Sequence, residues 1–130
     1  MRYYNVALVV NCLGMYSGDS IAHEWQVSQR KRFAGIDYLD FPIGYGINRL
    51  PWEDAFTRVQ EYLNRGRVVF VHCKNGRDRS GFVLYAFLRL QCRFTHSDAV
   101  ASLSGRVRAQ DFPSDRFAKE IRWINSAMHF

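Results

Sequence analysis

The chain of 130 residues is 48% hydrophobic and 23% charged, a globular balance that excludes a disordered or low-complexity chain. No apolar run approaches the roughly 18 residues of a membrane helix, and the first residues lack the pattern of a signal peptide, so an intracellular protein without stable membrane insertion is expected. The net charge of +6 favours anionic partners such as phosphorylated molecules, nucleic acid or anionic lipid, with plain solubility as the alternative.

Val6 to Val10 is a continuous apolar run of strand length, which suits a strand buried on both faces. Asn11, Cys12, Leu13 and Gly14 end it. Ser17 to Arg32 is polar and reads as a loop with room for a helix. Gly35 to Pro42 alternates apolar and polar residues and reads as a second strand, offering Ile36, Tyr38 and Phe41 to a core. Gly44, Tyr45 and Gly46 break that pattern.

Pro51 opens a helix whose first turn carries Glu53 and Asp54, where the helix dipole favours anions. Ala55, Phe56, Val59, Tyr62 and Leu63 recur at helical spacing, and Gly66 stops the helix. Arg67 to Val71 is the clearest strand. Gly81 to Leu90 is apolar nearly all round, the mark of a buried helix. Two further helices are expected over Ser97–Val107 and Ser114–Met128, with Phe117, Ile121, Ile124 and Met128 on one face. The order β, β, α, β, α, α, α predicts a single α/β domain, residues 1–130, with a mainly parallel central sheet flanked by helices.

The three cysteines, Cys12, Cys73 and Cys92, are too few and too scattered for a disulfide framework. The four histidines are equally dispersed, so neither a metal site nor a cofactor is expected.

The chemistry concentrates between the strongest strand and the buried helix, in His72-Cys73-Lys74-Asn75-Gly76-Arg77-Asp78-Arg79-Ser80-Gly81. A strand, a tight loop and a helix N-terminus make an anion cradle, because loop amides turn inward and the helix dipole adds positive potential. Gly76 permits the turn. Arg79 offers a planar fork to two phosphate oxygens. A thiol at Cys73 in such surroundings has its pKa lowered from about 8.5 and can attack phosphorus as the thiolate. Ser80 is placed to donate a hydrogen bond to the sulfur and ease its departure. His72 orders the loop by hydrogen bonding or by packing.

This run resembles the H-C-x5-R-[S/T]-G signature of the cysteine-dependent protein tyrosine and dual-specificity phosphatases, with His72, Cys73, Gly76, Arg79, Ser80 and Gly81 all in place. Val9-Val10-Asn11-Cys12 and Tyr38-Leu39-Asp40-Phe41-Pro42-Ile43 are similar to two further segments of that family, so the resemblance covers most of the chain. It implies a dual-specificity phosphatase-like fold without that family's usual N-terminal extension. It also implies phosphate held by Lys74, Asn75, Gly76, Arg77, Asp78 and Arg79, and hydrolysis through a phosphocysteine on Cys73.

One part of the family pattern is absent. The general acid expected after Pro42 falls in register on Tyr45, and Ile43 to Trp52 contains no carboxylate. Asp78, inside the loop as in some lipid-phosphatase branches, is the preferred acid; Asp40, or no acid at all, are the alternatives. Lys74 and Arg77 resemble the extra cations of lipid phosphatases and suit a multiply phosphorylated ring. A phosphorylated protein is the default substrate and a phosphoinositide follows closely. An RNA 5′-triphosphatase and a phosphate-binding pseudophosphatase are the other readings. Cys12, ending a strand at the same edge, is either a core residue or a redox partner of Cys73. Cys92 reads as structural.

Overall fold

The computed structural model describes residues 6–12, 36–43, 46–72, 79–104 and 117–128. Among them, three parallel strands pair in one sheet: β1 (Val6–Asn11), β2 (Asp37–Asp40) and β3 (Val68–His72). Their order is β2-β1-β3. The expected parallel sheet is therefore present, and β1 lies between β2 and β3. Leu8, Val9 and Val10 are all buried, as expected of an apolar run covered on both faces. A register irregularity between Val6 and Leu8 leaves β1 with one more residue than β3 across that step.

The helix expected from Pro51 is α1 (Trp52–Asn64), with Pro51 at its cap position and Glu53 and Asp54 in its first turn. It buries Ala55, Phe56 and Val59. The stripe does not continue to the end of the helix. Tyr62 donates its hydroxyl hydrogen to Asp37, and Leu63 stays 42% exposed. Beyond Asn64 the Gly66 N–H bonds the Leu63 carbonyl at 3.0 Å and the Arg67 N–H bonds the Tyr62 carbonyl at 2.9 Å. That pair of bonds is the Schellman stop, and it requires the left-handed conformation found at Gly66, φ +72°. A Cβ there meets nothing within 4 Å, so Gly66→Ala carries backbone strain alone. We expect it to cost about 1 kcal/mol, read as a lower urea midpoint with an unchanged slope. An unchanged midpoint would show that the left-handed turn is not strained by a side chain.

The buried helix is α2 (Arg79–Ala86), which continues into a wide π turn over Phe87–Gln91. A regular helix to Leu90 was the expectation; the structure widens the last turn around a buried cation. Arg89 donates from Nη1 to the Tyr85 hydroxyl at 2.6 Å and from Nε to the Phe94 carbonyl at 3.1 Å. A buried guanidinium must keep such partners, because leaving its donors unmet in the core is costly. The Tyr85 hydroxyl lies 2.8 Å from Nδ1 of His96. Burial pushes the Tyr85 pKa up, against the opposing pull of Arg89.

The last two helices are shorter than expected among the described residues. They are α3 (His96–Leu103), capped by the Thr95 side chain, and α4 (Ala118–Ala127). Residues 105–116 lie outside the description. Phe117, Ile124 and Met128 are buried and Ile121 packs against the same core, so the expected shared face is present. Phe117 stacks on Phe82 of α2 at 4.4 Å between ring centroids, and Trp123 meets Trp52 edge-on at 6.4 Å. No helix among the described residues is long and apolar enough to cross a membrane.

Candidate active site

In an open α/β sheet, ligands collect beyond the carboxyl ends of the strands. Here those ends are level. Asn11 is registered with Asp40 on one side and with His72 on the other. Two hydrogen bonds continue the row past the strands: Phe41 N–H to the Asn11 carbonyl and Cys12 N–H to the His72 carbonyl, both 2.8 Å. The edge is thus a short line of Asp40, Asn11 and His72, with Cys12 buried directly after Asn11.

β3 ends at His72 and α2 begins at Arg79. The sequence between them is Cys73 to Asp78. Cys73, Lys74, Asn75, Gly76, Arg77 and Asp78 lie outside the described residues, as does Tyr45. The residues that bracket the loop are described. His72 is 8% exposed and its ring packs on Phe70 at 5.5 Å. Arg79 is the first helical residue and half-buried; Ser80 follows it and is buried. The strand-to-helix junction expected around the cysteine is therefore present on both sides. A cation at the first helical position stands where the helix dipole is also positive, an arrangement that repels other cations and attracts an anion.

Asp40 ends β2 and is exposed. It stands at the correct edge, two strands from His72, which is about 10 Å at ordinary strand spacing. Sequence reasoning passes over Asn11 as the mere end of a strand. Its side chain is 1% exposed in the centre of the row, and the available signal was a polar residue closing a wholly apolar run. Cys92 sits at the end of the π turn, half-buried, and burial raises its thiol pKa. A thiol held protonated is unreactive, which agrees with a structural role.

An apolar cavity of about 240 Å³ lies between the sheet and the helices, lined by residues including Val10, Phe41, Phe56, Val71 and Leu84. It has no titratable lining group, so it is separate from the chemistry at the strand ends.

Comparison with solved structures decides the fold. Tk-PTP superposes with a TM-score of 0.63 at 21% identity, covering 95% of this chain and 81% of that one. Human DUSP28 gives 0.64 at 21% identity, covering 95% and 76%. The fold is that of the dual-specificity phosphatases. PTPMT1 shares it more loosely, with a TM-score of 0.53 at 17% identity over 95% of this chain and 80% of that one. Among curated proteins, "Putative tyrosine phosphatase 123R" of Invertebrate iridescent virus 6 is 31% identical over 74 residues. That match takes in 54% of this chain and 51% of the viral protein, about half of its length. No family model matches the chain.

Proposed function

We propose that the chain is a cysteine-dependent phosphatase of the tyrosine/dual-specificity type. The observation that carries this reading is the position of the His72–Gly81 signature, which spans the junction from the carboxyl end of β3 to the first turn of α2. The fold and the viral relative's name support it from outside the chain.

In this reading the Cys73 thiolate attacks phosphorus and the leaving oxygen departs with a proton from Asp78. Water then cleaves the S–P bond, releasing inorganic phosphate and returning the thiolate. Arg79 holds two of the nonbridging oxygens in both steps, and Ser80 hydrogen-bonds the departing sulfur. Asp40, exposed and two strands away, is the less suitable acid. Phosphotyrosine is the favoured substrate class, on the strength of the viral relative's name. Phosphoserine and phosphothreonine remain within the same chemistry, and Lys74 and Arg77 extend it to a phosphoinositide.

The test is turnover of an activated aryl phosphate by the purified chain, with Arg79→Lys alongside. A point charge cannot reproduce the guanidinium fork. We expect kcat/KM to fall by about 10²–10³-fold, the usual loss for one oxyanion-stabilising group, with the thermal midpoint unchanged. Hydrolysis retained within about threefold would remove Arg79 from the phosphate site, and absence of any wild-type turnover would leave the chain a phosphate binder.

A further inference from the structure

The catalytic reading makes no use of the apolar cavity between the sheet and the helices. Its volume of about 240 Å³ is far above a packing defect, since native interiors hold few voids larger than a water molecule. An apolar cavity of about 150 Å³ already stays dry and takes up benzene. The floor is one face of the sheet. Leu39, Val10 and Val71 stand in register across the three strands, and all three line the cavity, together with Val69 two residues back along β3. The walls are apolar faces of the helices, among them Val59 and Leu63 of α1 and Leu84 of α2.

The cavity reaches the surface at Leu63. That residue lines it and is 42% exposed, whereas Val59, one turn earlier on the same face of α1, is buried. The mouth therefore lies at the last turn of α1, where the chain passes into β3. This passage carries two exposed arginines, Arg65 and Arg67. Arg67 precedes Val69 by two residues, so the alternation of β3 sets it on the cavity face of the sheet. Its N–H bonds the Tyr62 carbonyl at 2.9 Å, which holds it against the same turn of α1 as Leu63. Among the described residues, the other charged groups of this end stand elsewhere. Glu61 is two positions from Leu63, about 200° round the helix, and Asp37 accepts from Tyr62 at the start of β2. Arg89 is engaged with Tyr85 and the Phe94 carbonyl.

We infer that this cavity is a binding site for a single-chain fatty carboxylate, with the apolar tail inside and the carboxylate on Arg67 and Arg65 at the mouth. The lining and the charge of the mouth each select one half of such a ligand. An arginine fork meets a carboxylate with two parallel hydrogen bonds. At about 30 Å³ for each methylene-sized group, the share of one water in the liquid, the cavity holds about eight carbons. That is one medium-length chain, not the two of a membrane phospholipid. A bilayer is the poorer partner for a second reason. Leu63 and Val68 are the exposed large apolar side chains among the described residues, too small a face for stable interfacial insertion. The mouth also lies away from the catalytic row, because β3 begins beside it at Val68 and ends in that row at His72. The inference therefore does not depend on the reading of the Cys73 loop.

Calorimetric titration of the full chain with octanoate, octanol and octylammonium, beside sedimentation with vesicles of anionic phospholipid, tests this without reference to catalysis. The expected result is a single octanoate per chain, bound at least about tenfold more tightly than octylammonium, with the difference shrinking as salt is raised. Shortening the chain below eight carbons is expected to weaken binding about fourfold per methylene, and lengthening it beyond decanoate to add nothing. Arg67→Glu is expected to lower octanoate affinity by about tenfold or more while octanol binds as before. Val69→Phe fills the cavity and is expected to abolish both. Arg67→Glu changes an exposed position, so it decides the question where Val69→Phe does not fold. No octanoate uptake at millimolar concentration overturns the inference. So does equal affinity for octanoate and octylammonium, or octanoate binding indifferent to Arg67→Glu. Attachment to the vesicles without uptake of octanoate overturns it in favour of a bilayer surface.

Discussion

Cys73→Ser is expected to lower turnover by at least about 10⁴-fold, because a serine hydroxyl near neutral pH is almost wholly protonated where a thiol in a cationic loop is ionised. The substitution keeps the size of the side chain and leaves Arg79 at the start of α2. Binding of a phosphate analogue such as vanadate or tungstate should therefore persist, measured by calorimetry or by a rise in thermal midpoint. Loss of turnover with retained anion binding is the signature of a missing nucleophile. Single-turnover quench with a radiolabelled aryl phosphate adds a direct observation: the wild-type chain should trap label on the protein, and the variant should not. Hydrolysis by Cys73→Ser at the wild-type rate would end the phosphocysteine mechanism, whatever the fold.

Asp78→Asn is expected to act through the leaving group. The amide keeps the volume and much of the hydrogen bonding of the carboxyl, and loses the proton. With an alkyl or tyrosyl leaving oxygen, which needs that proton, the rate should fall by about 10²–10⁴-fold. With a strongly acidic phenol the fall should be small. The sign of the pH effect follows from the same role. An acid that must be protonated makes the rate fall as pH rises through its pKa, so the high-pH limb should flatten in Asp78→Asn. A uniform loss across leaving groups, with a lower thermal midpoint, would mean that Asp78 braces the loop. Asp40, level with His72 at the strand ends, is then the residue to test by the same series.

Much of the fold is legible because it is written in short-range chemistry. The apolar run at Val6–Val10 specifies a strand with both faces covered. Glu53 and Asp54 after Pro51, and Gly66 at the far end, delimit α1, since dipole, fixed φ and a left-handed stop all act within one turn. The signature from His72 to Gly81 is legible for the same reason: the end of β3 and the start of α2 lie within one short stretch of sequence. Ends drawn by pattern alone fare worse. The second strand shrinks from Gly35–Pro42 to Asp37–Asp40, where pairing with β1 holds it, because alternation describes a face and not the length of a ladder.

Other features depend on what meets across the core, and no local pattern contains them. The periodicity of α1 gives Leu63 the same standing as Val59, yet the packed helix buries one and exposes the other. Arg89 interrupts an apolar helix, and only its burial against Tyr85 and Phe94 accounts for the widened turn. The sequence by itself determined the elements, the parallel class of sheet and the strand-to-helix junction that holds the candidate Cys73 and Arg79, because propensity, capping and motif spacing are properties of neighbouring residues. The tertiary structure alone decided that β1 lies between β2 and β3 among the described strands, and that Asp40, Asn11 and His72 stand in one row. Strand order and register are set by contacts between residues far apart in the chain, whose free energy appears only once the layers pack.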